Sequence, residues 1–320
     1  MKDERIKRFI CICISIALTV AMVLAAELSG EKEILFPEIV ALTTGAIACK
    51  RQPWEVSKSK LVTLMTLSAV MGIGMNRMLS CSLFIKVVIA YGIVGLSLTM
   101  AKCSLAPMIS ACILPLFMGT TSVIYPIAVS VMSCIIVAVQ FLLERIGFRE
   151  YRPYHKIILP YKEQLTHWGL LLAGVALCSV VPTYSGYLFF VAPPLLVLFT
   201  EFSNVGAAPR KAPFMIFLVT GLGAFTGVLS RYIICVRLGL GLTVAAIIAA
   251  IIINGIFVLT KKPFPPAGAI TFLPFIIPES GLLGYPFQVC TGSFLLIALA
   301  FYIFREREDE KSKDLFVKEG

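Results

Sequence analysis

The feature that most constrains this chain is its rhythm: between Phe9 and Phe304 it returns repeatedly to apolar stretches separated by short polar or basic links. The stretches cover residues 9–26, 35–49, 61–75, 87–101, 105–118 and 123–143, then 169–189, 190–200, 213–229, 238–260, 265–278 and 285–304. A bilayer is crossed by about 20 apolar residues in a helix. The rhythm therefore predicts an all-α polytopic membrane protein of about twelve membrane segments, four of them short: 35–49, 105–118, 190–200 and 265–278. Composition excludes the alternative of one soluble core. The chain is 58% hydrophobic and 14% charged, where soluble domains average about 45–50% and about 25%. The net charge of +10 falls in short blocks between the stretches rather than on one surface. That is the pattern of cytoplasmic loops and not of a nucleic-acid-binding domain.

The stretches divide into two similar sets. Pro37 is followed by Pro107 and then Tyr125-Pro126; Pro194 is followed at nearly the same intervals by Pro266 and then Tyr285-Pro286. Each set also carries a basic pair (Lys50/Arg51, Arg210/Lys211) and a Gly-x-Gly (Gly72-Ile73-Gly74, Gly221-Leu222-Gly223). Four landmarks in one order imply a duplicated unit, as in many transporters. The expected organisation is a first membrane repeat over 1–150, a cytoplasmic linker over 151–166, a second repeat over 167–304, and a charged cytoplasmic tail over 305–320. The basic start before 9–26 also fits a signal peptide, but the length of that stretch and the equivalent opening of the second set favour a span.

Basic residues decide the orientation. If all six stretches of each set cross, 23 of the 28 Lys and Arg fall on one side; if the short ones were re-entrant, only 18 would. The first arrangement obeys the positive-inside rule and makes the repeats parallel, with both termini cytoplasmic in an inner or plasma membrane.

The short stretches begin at proline, the residue suited to a first helical turn. A helix starting at membrane depth offers free N–H groups and a positive dipole end to an anion. Paired, proline-interrupted segments point to a transporter site; they also fit simple capping of short helices. The densest string is Lys261-Lys262-Pro263-Phe264-Pro265-Pro266-Ala267-Gly268-Ala269, where small residues either expose backbone to a ligand or admit a neighbouring helix. This string resembles the His-Pro-Pro-Ala-Gly-Ala signature of the HPP family of integral membrane proteins, some of which are associated with nitrite transport. Pro193-Pro194-Leu195 through Ala208-Pro209-Arg210 is similar to another part of that family, and the likeness is clearest over an HPP-like core at 190–280. The resemblance implies a membrane transporter or channel for a small inorganic anion. The family's signature histidine is Phe264 here.

The candidate substrate-binding residues are Pro265, Pro266, Ala267, Gly268, Ala269 and Pro107 at helix starts, with Arg210, Arg231, Arg237 and Asn254. Arg77/Lys86 and Arg231/Arg237 recur at one outer turn of each set, as an electropositive vestibule or as snorkelling side chains. Asn254 reads as a ligand or as a helix–helix hydrogen bond. Glu38 beside Pro37 and Glu201 near Arg210 are the remaining charges close to apolar stretches. The ten cysteines are scattered without metal-ligand spacing, both histidines, His155 and His167, sit in the central linker, and no catalytic motif is present. No metal, cofactor or enzymatic activity is expected; the expected partners are the lipid bilayer and a small anion, with homo-oligomerisation left open. The competing readings are a non-transporting membrane scaffold and a transporter of a neutral or cationic solute.

Overall fold

A computed structural model describes residues 2–305, with side chains from Glu4 onward. The tail expected to be cytoplasmic lies outside the described residues beyond Arg305. Among the described residues there are helices and no strands: α1 (Lys2–Ser29), α2 (Glu38–Thr43, extended by a π-helical turn over Thr44–Ala48), α3 (Lys58–Met78), α4 (Leu83–Ala101), α5 (Pro107–Met118), α6 (Ile124–Arg145), α7 (Tyr161–Ser185), α8 (Pro193–Ser203), α9 (Pro213–Arg231, extended over Tyr232–Arg237), α10 (Leu242–Thr260), α11 (Pro265–Phe272), α12 (Glu279–Leu282) and α13 (Tyr285–Ile303).

Eight of the described helices, α1, α3, α4, α6, α7, α9, α10 and α13, are long and apolar enough to cross a membrane. The molecule is a helical membrane protein. Each long helix hides between 22% and 56% of its most apolar window inside the protein, so each keeps a broad apolar face turned outward. α4 illustrates the division. Val87, Ala90, Tyr91, Val94 and Leu98 are buried, while Ile85, Ile89, Ile93, Leu96 and Met100, at three- and four-residue spacing, form an exposed apolar stripe. That stripe suits lipid rather than water.

The short helices are the reverse. All eight residues of α11 are buried, as are Pro107–Leu116 of α5 and ten residues of α8. Backbone that starts or stops at membrane depth is tolerated only where protein surrounds it, and these helices are surrounded. α2 packs on α11 and α8 on α5, while α3 and α9 lie against α5 and α11 respectively. The core is thus a cluster of short helices inside a jacket of long ones.

Local chemistry sets the ends. Ser57 and Ser82 accept hydrogen bonds from the Lys60 and Ile85 N–H groups, which caps α3 and α4. α4 and α10 each close on a lysine in the left-handed region, Lys102 (φ 54°) and Lys261 (φ 55°). Prolines occupy the first turns of α5, α8, α9, α11 and α13, where the missing N–H has no partner to lose.

The same packing detail occurs twice. The Tyr125 hydroxyl donates to the Ala111 carbonyl at 3.0 Å, and the Tyr285 hydroxyl to the Ile270 carbonyl at 2.7 Å. A Cβ on Gly72 would lie 2.3 Å from the Cys112 carbonyl oxygen, and one on Gly227 2.0 Å from that of Thr271. Gly72 and Gly227 thus each let the main chain of a short helix approach closely, α5 and α11 respectively. Two boundaries also move. α7 begins at Tyr161, so the link before it is shorter than 151–166 and His167 is helical; α10 begins at Leu242, because the chain turns through Gly239 at φ 65°.

Candidate functional site

The first turns of the short helices meet. Glu38 and Ala41 of α2, Pro107 and Ser110 of α5, Pro194 and Val197 of α8, and Pro266 and Ala269 of α11 line one cavity of about 10 Å³. That is the lower limit for a single water. The lining is prolines and small or apolar side chains except for one pair: the Ser110 hydroxyl donates to Glu38 Oε1. Glu38 is 1% exposed, and its Oε2 has no hydrogen-bond partner. Ionisable groups at membrane depth are expensive and mark functional positions by default. Its position follows from the sequence. Pro37 sets the chain at the start of α2, and the carboxylate then occupies the first turn, where a negative charge is favoured. Tyr125 and Tyr285, anchored to α5 and α11, hold these helices from either side.

Directly beside this junction lies a larger cavity of about 1200 Å³. Ala106 and Pro265 line it, and their sequence neighbours Pro107 and Pro266 line the junction. Its cations are Arg8, Lys50, Arg51, Lys102, Lys162, Lys261 and Lys262, set against the carboxylates of Glu163 and Glu201. Trp54 and Trp168 supply aromatic walls, and the Trp54 indole N–H donates to Glu201 Oε1 at 3.2 Å. His167 lines the same space with its Nε2 3.1 Å from the Ser203 hydroxyl, which itself donates to the Thr200 carbonyl. The Tyr91 hydroxyl lies 2.6 Å from that of Thr200 behind them. Positive charge dominates, and it gathers at one end of the bundle.

Two arginines brace this end from outside the cavity. The Arg149 guanidinium donates to the carbonyls of Ile47 and Cys49 at 2.9 and 2.8 Å, closing the end of the π-helical turn after α2. Burial pulls its basicity below the ordinary arginine value, with Cys49 and Glu144 opposing. Arg210 does the equivalent at the end of α8: it donates to the Phe202 carbonyl at 2.8 Å and lies 4.3 Å over the Phe301 ring.

The candidates named from sequence divide accordingly. Pro107, Pro266 and Ala269 meet at the junction, Pro265 faces the large cavity, and Gly268 packs against Val40 of α2. Ala267 accepts the Thr271 hydroxyl bond within α11. Arg210 is a buried brace and lines neither cavity. Asn254 is buried and donates to Ala250 of its own helix at 2.9 Å. Arg231 is committed to the carbonyls of Pro274 and Ile277, Arg237 to the Tyr232 hydroxyl at 3.0 Å, Arg77 to the Thr121 carbonyl, and Lys86 to Asn76. These cations each hold a carbonyl oxygen or a side chain, and none of the four lines the large cavity, which gathers other lysines and arginines.

From the sequence, Glu38 reads only as a charge close to an apolar stretch, and Ser110, Trp54 and Trp168, which line the two cavities with it, are not singled out. The signal for Glu38 was present, since it is the sole carboxylate inside an apolar stretch between residues 35 and 49. Phe264, standing where the resemblance would place a histidine, is 1% exposed and lines the large cavity. No protein-family model matches the chain, and neither any curated protein nor any solved structure is similar to it.

Proposed function

We propose that the chain is a carrier for a small anion, built from two parallel six-segment repeats, with the basic cavity open to the cytoplasm and the short-helix junction as its closed gate. The observation that carries the proposal is the buried Glu38–Ser110 pair at the meeting point of the short helices, directly under a cavity lined by seven cations. A cavity with like-signed walls concentrates counter-ions, and a site shut on one side and open on the other suits alternating access.

Several observations support the repeats. Pro107 and Pro266, Tyr125 and Tyr285, Gly72 and Gly227, and the left-handed Lys102 and Lys261 recur in one order with matching contacts. With the short stretches counted as crossings, the long and short helices together make twelve segments. Arg8, Lys50, Lys102, Lys162 and Lys261 share one cavity, as the positive-inside rule asks of a cytoplasmic end. The assignment of a nitrite-like substrate rests on the resemblance of residues 263–269 to the HPP family, and Phe264 removes the imidazole that the family signature would supply.

A second reading is favoured by the same carboxyl: a cationic or neutral solute would pair with Glu38 and Glu201. The near-dry junction also suits a non-transporting scaffold, although a scaffold has no use for a buried carboxyl with an idle oxygen. Uptake into proteoliposomes separates the three. The carrier reading expects flux of at least one of nitrite, nitrate, formate and chloride; no flux across this panel overturns it.

A further inference from the structure

The junction contains one feature that anion transport alone does not require, and it works against an anion while ionised. At an effective dielectric of about 20, a carboxylate about 5 Å from a monovalent anion disfavours it by roughly 200- to 300-fold. The carboxyl nonetheless lies where the first turns of α2, α5, α8 and α11 converge.

We propose that Glu38 is a proton-carrying site: its carboxylate takes one proton on Oε2 when an anion enters the junction and gives it up when the anion leaves, which couples the two movements in one direction. This rests on the anion-carrier reading above. The atoms balance without a co-reactant, since a proton from cavity water converts carboxylate to carboxylic acid and returns to water on the opposite side.

Three details point to a proton rather than a metal cation. The cavity of about 10 Å³ holds at most one water. Its only side-chain oxygens come from Glu38 and Ser110, the rest of the lining being Pro, Ala and Val, whereas a hard metal cation gathers about six oxygens. Oε1 already accepts from Ser110, while Oε2 is the free position at which a proton can sit. The count is one, because Glu38 is the one carboxylate among the residues that line the junction.

No fixed charge competes for the role. Tyr125 from α6 and Tyr285 from α13 have their hydroxyls committed to the Ala111 and Ile270 carbonyls. α5 contributes the buried Cys112 thiol. α11 has no titratable side chain, and the one on α8, Glu201, sits at its far end facing Trp54. On α1, Glu27 is engaged with α10, and the basic residues lie at the opposite end of that helix.

The test uses the full chain in two formats. Infrared difference spectra of the membrane-reconstituted protein between high and low pH should contain a protonated-carboxyl band that Glu38→Gln removes. Ser110→Ala, which deletes the donor to the ionised form, should shift the titration of that band to higher pH. In liposomes carrying a trapped pH dye, an inward nitrate gradient should acidify the lumen with wild-type protein and not with E38Q; nitrate is the probe because its acid does not cross lipid unaided. A spectrum identical in wild type and E38Q, together with an unshifted S110A, overturns the proton site. Nitrate flux without acidification overturns the coupling and leaves the carrier standing. Absence of flux for nitrite, nitrate, formate and chloride overturns the carrier, and the infrared titration still decides whether Glu38 takes up a proton.

Discussion

Replacing Gly227 by alanine tests the packing that brings α9 against α11. The added Cβ would lie 2.0 Å from the Thr271 carbonyl oxygen and 3.0 Å from Pro274 Cγ. An ordinary contact of this kind is about 3.4 Å, so the helices must separate locally by roughly 1.4 Å or tilt. The obstacle is main chain, which no rotamer change can relieve. Overpacking of this sort costs about 1–3 kcal/mol, and the helix-propensity gain of Ala over Gly returns roughly 0.5–1 kcal/mol. The net expectation is a destabilisation of about 1–2 kcal/mol. Gly72→Ala, whose Cβ would lie 2.3 Å from the Cys112 carbonyl oxygen, should respond alike. Gly74→Ala and Gly255→Ala, which meet nothing within 4 Å, isolate the propensity effect and should match or exceed wild type. Thermal unfolding in detergent, followed by cysteine accessibility or tryptophan fluorescence, reads the order directly. If G227A and G72A melt with G74A and G255A, the close approach of these helices does not exist and the junction built on it falls as well.

Three further outcomes follow from the same geometry. Arg210→Met removes the charged donor from the Phe202 carbonyl and should destabilise by roughly 1.5–3 kcal/mol, measured as a lower melting temperature. Lys102→Gly and Lys261→Gly relieve a left-handed backbone that a side chain disfavours, and each should raise stability by about 0.5–1 kcal/mol in the same assay. Lys50→Gln with Lys162→Gln thins the cationic wall of the large cavity; anion uptake should fall more at low ionic strength than at high, since salt screens charges beyond about 10 Å at 0.1 M.

How much of this was legible in the sequence depends on what kind of information each feature needs. Spans such as α4 and α10 were plain, because long, mostly apolar stretches have few other uses. The short helices were plain too, since Pro107 and Pro265/Pro266 announce a helix start inside an apolar stretch. Charges were less readable. Arg210, Arg231 and Arg237 read as ligands for an anion, and the fold gives each a partner the sequence did not show, carbonyls of neighbouring segments or a nearby Tyr hydroxyl. Such partners are assembled by the tertiary fold and leave no local trace. The close approaches at Gly72 and Gly227 were hidden for a related reason: each depends on the helix that the glycine touches, not on the spacing around it. The convergence of Glu38 with Ser110, 72 residues further along, belongs to the same class.

The pairing of α1 with α10 bears on how such a protein is made. Glu27 near the end of α1 accepts from the Leu242 and Thr243 N–H groups at the start of α10, at 2.9 and 2.8 Å, and the two helices pack along each other, as α4 does with α7. α1 therefore finds this partner only after more than two hundred further residues have been made. α1 also packs on α2 and the turns around it, and Met22 Sδ accepts from the Phe36 N–H at 3.2 Å, so part of its inward face is covered before α10 is made. Chains truncated before Leu242 lack the α10 contacts of α1, and pulse-chase labelling should find them degraded faster than the full chain.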